Sequence, residues 1–340
     1  MATSTPASKP TPERIFNTMI AFQETEALKA AIELDLFTAI SDGANTAASL
    51  AAKTGAAERG VRILCDFLTI REFLAKKGNE YSLTQESAVF LNRHSPACLA
   101  SMMDFLASPW SRKNFGGLTE AVRKGGTANV TGDHTKPHEE VWVNFARSMA
   151  PLTIPNAEFI AGLAGAAEGK PCKVLDIAAG HGMYGITVAK RNPNAQIVAV
   201  DWPAVLEVAK ENAAKLGVAD RHTTKPGSAF ETDLGKGYDC VLLTNILHHF
   251  DIPTCAKLMR RVHAALKLGG KAITLEFVPN EDRVTPPMAA AFSLVMLAGT
   301  DAGDAYTFAQ YEKMFRNAGF AKTTLHPVPD MPQQVLLSEK

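Results

Sequence analysis

The ten residues Lys173-Val174-Leu175-Asp176-Ile177-Ala178-Ala179-Gly180-His181-Gly182 constrain the fold more than any other stretch, because they read as a buried strand entering a glycine turn and then a helix. Such a junction is where a parallel α/β sheet holds a nucleotide-like ligand, at the carboxyl end of the strand. Glycine at 180 and 182 leaves no Cβ to keep a ligand off the backbone. Asp176 sits near the strand's end with no basic neighbour in sequence. An acid aimed at that crevice selects a cationic or hydroxylated ligand over a phosphate.

Beyond Pro171 strand and helix patterns alternate: strand 173–177, helix to Lys190, strand 196–200, helix 203–216, strand 238–244, helix 253–266 and strand 271–277. A helix over 308–317 and strands over 322–326 and 334–338 close the series. This order, with six strands legible, predicts a Rossmann-like α/β fold over residues 166–340, a doubly wound sheet expected to hold seven strands.

The earlier part of the chain is different. Residues 1–12 carry Pro6, Pro10 and Pro12 with little to bury and are expected to form a flexible tail. Apolar positions Ile15, Met19, Phe22, Leu28, Ile32, Leu36 and Ile40 recur at helical spacing, slipping near Glu24. A helix pair over 46–54 and 57–70, a run over 73–76, a Gly78-Asn79 turn and a run over 81–83 follow, which is the order of a winged helix. That all-α winged-helix domain is predicted over 13–105, with a helical linker and substrate-pocket region over 106–165.

Charge argues against DNA as the partner of the winged helix. From Ala44 to His94 there are seven basic and five acidic residues, a weak surplus for a duplex binder. The second helix carries Val61, Ile63, Leu64, Phe67, Leu68 and Ile70, more apolar surface than one small domain needs, which favours packing against another domain or chain. Over the whole chain Lys plus Arg equals Asp plus Glu, 35 of each, so the field that draws nucleic acid or anionic membranes is missing. The apolar run 288–299 is too short to span a bilayer. Five cysteines without a CxxC pair, and no apolar core near Met1, lead us to expect reduced thiols and a cytoplasmic location. His134, His138 and Glu139 sit around Thr135-Lys136-Pro137 without a third ligand pattern, so no metal is expected.

Gly180-His181-Gly182-Met183-Tyr184-Gly185 matches G-x-G-x-x-G, and Asp201 ends the second strand 21 residues after Gly180, where an acid meets a ribose diol. Alone, this suits NAD as well as an adenosine cofactor. Asp176 would repel a pyrophosphate, and a single mononucleotide-type half is visible. S-adenosylmethionine has a ribose, an amino acid tail and no phosphate, and it suits two acids.

With these residues in hand, the chain resembles class I S-adenosylmethionine-dependent small-molecule O-methyltransferases, the family of caffeate and acetylserotonin enzymes, over nearly its whole length. The segment Ala31-Ile32-Glu33-Leu34-Asp35-Leu36-Phe37 is similar to the family's opening, and the amino-terminal domain there serves dimerisation. The family loop Leu-Asp-x-Gly-Gly-Gly-x-Gly stands here with alanines at 178 and 179. Carried over, Asp176, Gly180 and Gly182 would hold the methionine end of S-adenosylmethionine, Asp201 the ribose, and Trp202 the adenine face. Gly227-Ser228-Ala229-Phe230 occupies the family's Gly-Asp-Met-Phe position, so Ser228, Ala229 and Phe230 would meet adenine without the usual acid, with Thr244 close by.

The resemblance makes His248, in Ile246-Leu247-His248-His249-Phe250-Asp251, the general base, and Glu276 the carboxylate that orients it. His249 replaces an acid, and the second family glutamate falls at Ala305. Phe145 and Met149 match family positions that touch the methyl donor and the acceptor ring, and Met296 and Thr300 match positions lining the acceptor pocket, which implies a flat aromatic acceptor. The resemblance therefore implies an O-methyltransferase acting on a small aromatic hydroxyl compound as a homodimer. Methylation of nitrogen, sulfur or carbon, and a ligand-responsive DNA-binding protein, are the alternatives.

Overall fold

The computed structural model describes residues 10–129 and 139–340. Residues 1–9 of the expected tail, and His134 and His138, lie outside these bounds. The chain divides into two compact units between Met103 and Asp104.

The first unit is built from α1 (Glu13–Ile20), α2 (Phe22–Glu33), α3 (Leu36–Ser41), α4 (Ala47–Thr54) and α5 (Glu58–Ile70), then β1 (Leu74–Lys77), β2 (Glu80–Leu83) and α6 (Gln85–Phe90). The helical periodicity from Ile15 to Ile40 breaks at Ala21 and again at Asp35, whose φ of 54° is left-handed, while Glu24 lies inside α2. Thr46 starts α4 with a capping box: its hydroxyl accepts the Ser49 N–H, and Ser49 Oγ accepts the Thr46 N–H. Gly55, with φ of 69°, ends it. Leu36, Phe37, Leu50, Val61, Cys65, Leu68, Leu74 and Tyr81 form the core of this unit.

After α7 (Met102–Leu106), which straddles the division, come α8 (Pro109–Gly116), α9 (Leu118–Lys124), α10 (Glu139–Met149) and α11 (Ile154–Leu163). The sheet follows as β3 (Cys172–Ile177), α12 (Met183–Arg191), β4 (Ala195–Asp201), α13 (Pro203–Lys215), β5 (His222–Pro226) and β6 (Tyr238–Thr244). It is completed by α14 (Ile252–Ala265), β7 (Leu266–Glu276), α15 (Pro287–Gly299), α16 (Phe308–Asn317), β8 (Lys322–Pro327) and β9 (Gln334–Glu339). The seven strands lie in the order β5-β4-β3-β6-β7-β9-β8. β3 to β7 are parallel, and β9 runs antiparallel to both β7 and β8.

The alternation of side chains along each strand sends apolar residues to both faces. Val174, Leu242 and Ile273 pack with Ile160 and Ile186 on one face, while Leu175, Leu243 and Val241 pack with Leu258 and Phe315 on the other. β5 is the strand that the pattern of the sequence does not announce, because His-Thr-Thr-Lys-Pro is polar and lies at a sheet edge. The strand order reverses between β3 and β6, so their carboxyl ends open the crevice in which such sheets bind ligands.

Candidate active site

At the end of β3 the chain turns through Ala178, Gly180 and Gly182, with φ of 55°, 56° and 73°. For Ala178 this left-handed backbone costs about 1–2 kcal/mol, since its Cβ crowds the following carbonyl. At Gly180 a Cβ would meet nothing nearer than Ala178 O at 3.9 Å, so the loop is open there; at Gly182 it would lie 2.9 Å from the Cβ of Ala209, on α13. Open space at 180 and close packing at 182 are different reasons for glycine.

Asp176 is fully buried. Its Oδ2 accepts the Gly185 N–H at 3.1 Å from the first turn of α12, and its Oδ1 has no partner among the described residues. Burial pushes its carboxyl up to about 7; the Gly185 N–H opposes this and the charge of Asp201 adds to it. Asp201, at the end of β4, accepts the Gly180 N–H at 2.8 Å on Oδ2 and the Trp202 N–H at 2.7 Å on Oδ1. It ties the second strand to the glycine loop, and burial raises it to about 6. His181, between the glycines, accepts the Met183 N–H on Nδ1 at 3.1 Å, and burial depresses its imidazole to about 4, so it sits neutral at the start of α12.

The turn after β5 comes to the same place. Gly227 donates its N–H to Asp201 O at 2.9 Å, and Ser228 Oγ accepts the Phe230 N–H at 3.2 Å. Phe230 sets its ring edge-on to Phe250 at 5.0 Å, and Ala229 packs against the same core. Trp202, partly exposed, packs with Trp142, Val143, Val205 and Val208. Thr244 is buried at the end of β6.

β6 runs out into a short turn over 247–249 that carries His248. Glu276, the last residue of β7, reaches across to it: Oε1 accepts the N–H of Ile246 at 3.1 Å and of Leu247 at 2.8 Å, and Oε2 lies 2.5 Å from His248 Nδ1. A carboxylate oxygen only accepts, so Nδ1 carries a ring proton, and in the neutral ring that leaves the lone pair on Nε2. The His248 ring lies 4.5 Å from that of His249 and edge-on to Phe292 at 4.9 Å, and Phe292 in turn stacks on Phe277 at 3.9 Å.

α10 bears on both groups of residues. Arg147 grips Glu211 on α13 with two bonds of 2.8 and 3.0 Å, and Trp142 touches the Trp202 cluster while meeting His249 edge-to-face at 5.3 Å. Phe145 packs edge-on to Phe105 at 5.0 Å, with Met149 one turn further on. Trp142, Phe105 and Phe292 belong to no motif in the sequence. The available signal was the spacing of Trp142 and Phe145, three apart on one helix face. Met296 and Thr300 are both buried at the end of α15, and the Thr300 hydroxyl is occupied, donating to Met296 O at 2.7 Å and accepting the Gly303 N–H at 2.9 Å.

The strand ends suit S-adenosylmethionine. Two carboxyl groups face the glycine loop, one with an unpartnered oxygen, and no Lys or Arg side chain bonds either among the described residues. A pyrophosphate would meet that charge unfavourably, whereas a sulfonium nucleoside with hydroxyls does not.

A sheet of this strand order, with an acid-lined glycine loop at its reversal point, defines the class I methyltransferases. Residues 169–321 match the O-methyltransferase domain and residues 16–93 the O-methyltransferase dimerisation domain. The crystal structure of a putative O-methyltransferase from Nostoc punctiforme shares 52% identity and superposes with a TM-score of 0.93, over 98% of this chain and 100% of that one. The 3-hydroxy-5-methyl-1-naphthoate 3-O-methyltransferase of Streptomyces sahachiroi is 28% identical over 93% of this chain and 91% of its own length. Human N-acetylserotonin methyltransferase in complex with S-adenosylmethionine is 23% identical, covers 99% of both chains, and shares the fold with a TM-score of 0.84. The chain belongs to the S-adenosylmethionine-dependent O-methyltransferase family. Among the described residues no helix is long and apolar enough to cross a membrane.

Proposed function

We propose that this enzyme methylates a hydroxyl group of a small aromatic molecule, with His248 as general base and Glu276 as the residue that orients it. The observation that carries the reading is the buried 2.5 Å contact between His248 Nδ1 and Glu276 Oε2, at the carboxyl end of the sheet. S-adenosylmethionine supplies a methyl group on a positively charged sulfur. A phenol, with a pKa near about 10, is almost wholly protonated at neutral pH, so removing its proton as it attacks is what the protein must add. Nε2 of His248 takes that proton, and Glu276 then balances the charge of the imidazolium.

On the cofactor side, Asp176, Gly180 and Gly182 would hold the methionine end, and Asp201 the ribose hydroxyls. Trp202 would offer its indole face to the adenine, and Ser228, Ala229, Phe230 and Thr244 would complete that part of the site. On the acceptor side, Phe145 and Met149 form a wall with Trp142 and Phe292. Met296 and Thr300 line the same pocket at the end of α15, where both are buried and the Thr300 hydroxyl is already engaged by Met296 O and the Gly303 N–H. The half-buried rings support a flat acceptor, as does a relative whose named substrate is a hydroxynaphthoate. The match of residues 16–93 to a dimerisation domain supports a homodimer.

Titration calorimetry with S-adenosylmethionine and, separately, NADH tests the cofactor side. Incubation with phenols, naphthols and hydroxynaphthoates, followed by mass analysis of the methylated atom, tests the acceptor. His248→Ala is expected to lower turnover by about 10² or more while cofactor affinity holds. Unchanged turnover removes the base, and methylation of aliphatic hydroxyls alone removes the aromatic acceptor.

A further inference from the structure

The turn that carries His248 is gripped from several sides. Besides the two N–H groups taken by Glu276, Cys255 Sγ donates to Leu247 O at 3.1 Å and the Tyr306 hydroxyl donates to Phe250 O at 2.6 Å. The carbonyl of His248 itself faces Gly303. A Cβ at Gly303 would lie 2.2 Å from His248 O and 2.9 Å from the carbonyl carbon of His249, far inside contact distance. Both are backbone atoms of the turn and cannot swing aside as a flexible side chain would. Gly303 is not among the residues of positive φ, so backbone conformation does not call for glycine there. Close approach does.

The loop bearing Gly303 is pinned as well. Its N–H donates to Thr300 Oγ1, and Thr127 donates its N–H to Thr300 O at 2.7 Å. On the other side of the loop, a Cβ at Gly126 would lie 2.2 Å from Asp301 O. The segment 300–303 is thus wedged between the end of α9 and the His248 turn, bare backbone meeting backbone on both sides.

We propose that Gly303, together with Tyr306, is a positioning residue for methyl transfer: the missing side chain at 303 lets this loop close on the His248 carbonyl and so sets where the imidazole Nε2 points. Neither residue touches the reacting atoms. The inference rests on His248 as the base, and it gives the segment around Ala305, where the family has a second glutamate, a mechanical part in catalysis instead of a chemical one.

The test uses the full-length protein labelled with nitrogen-15 at its nine histidines. The ring signals of His248 are assigned by their loss in His248→Ala. In Gly303→Ala they are expected to shift and to lose the pattern of a single Nδ1-protonated tautomer, while the signals of His222, His263 and His326 stay put. S-adenosylhomocysteine affinity by calorimetry is expected to be unchanged, and turnover of a hydroxynaphthoate to fall by about 10²-fold, the cost of roughly 1 Å of misplacement. Tyr306→Phe removes one bond and adds no bulk. It is expected to shift the same signals with a smaller loss of turnover, and it carries the test if Gly303→Ala does not fold. His248 signals that coincide with the wild type in the folded variants overturn the proposal. So does a Gly303→Ala loss that is as large in the His248→Ala background as on its own. If His248→Ala by itself leaves turnover intact, the base assignment fails, and the ring signals still report whether Gly303 sets the geometry.

Discussion

Asp176 and Asp201 are carboxylic acids held in places that disfavour their charge. Burial raises the first to about 7 and the second to about 6, from an ordinary value of 3.8. The folded protein therefore holds these protons longer than the unfolded chain does. Stability from this source is greatest at low pH and is lost as pH rises from about 4 toward about 7. Asp176→Asn keeps an acceptor for the Gly185 N–H and has no proton to lose. In the ligand-free protein, its melting temperature relative to wild type is expected to climb across that pH window; a difference that stays flat with pH would show that Asp176 is charged throughout. The acids were legible in the sequence as loop acids. Their separate engagements were not, because whether an oxygen meets Gly185, Gly180 or nothing depends on the path of the loop in space.

The element that concentrates cost is the loop between β3 and α12. Ala178 holds φ of 55° where the resembling family has glycine, so a left-handed penalty of about 1–2 kcal/mol is built in. Ala178→Gly relieves it and gives back about 0.4–1 kcal/mol in unfolded-state entropy. The net expectation is a gain of about 0.5–1 kcal/mol by denaturant titration, and a loss of stability would mean that the Ala178 methyl has packing worth more than its strain. Element types along the second unit were readable because β3, β6 and β7 each carry a short apolar core, Val174-Leu175, Cys240-Val241-Leu242-Leu243 and Ala272-Ile273, and α16 is strongly periodic. β5 was not, since an edge strand of polar residues has no burial pattern to show. The breaks at Ala21 and Asp35 show in the sequence only as a slip of the periodicity near Glu24, because neither residue is a glycine or a proline.

For the molecule as a whole, the outstanding feature is apolar surface at the amino-terminal end. Ile15, Phe16, Met19 and Phe22, on α1 and the start of α2, are 59–70% exposed, and α1 buries none of its residues. Four large apolar side chains close together in water are a standing cost unless covered. In the proposed homodimer, the partner is expected to cover them. The double variant Met19→Asp, Phe22→Asp is expected to shift the mass found by light scattering from dimer to monomer. Retention of the dimer would move the interface elsewhere.

What the sequence determined by itself is whatever is written locally: a buried strand before a glycine loop, an acid at the end of the next strand, an imidazole after the strand over 238–244 and a carboxylate near the end of the strand over 271–277. These follow from periodicity and from the conformations that single residue types allow. Tertiary structure alone decided which of those groups meet, because Glu276 and His248 are 28 residues apart and come together through the pairing of β6 with β7. The same holds for Trp142 against His249, and for the contact that leaves no room for a side chain at Gly303. Distances between elements come from the packing of the whole unit, and no short stretch of chain encodes them.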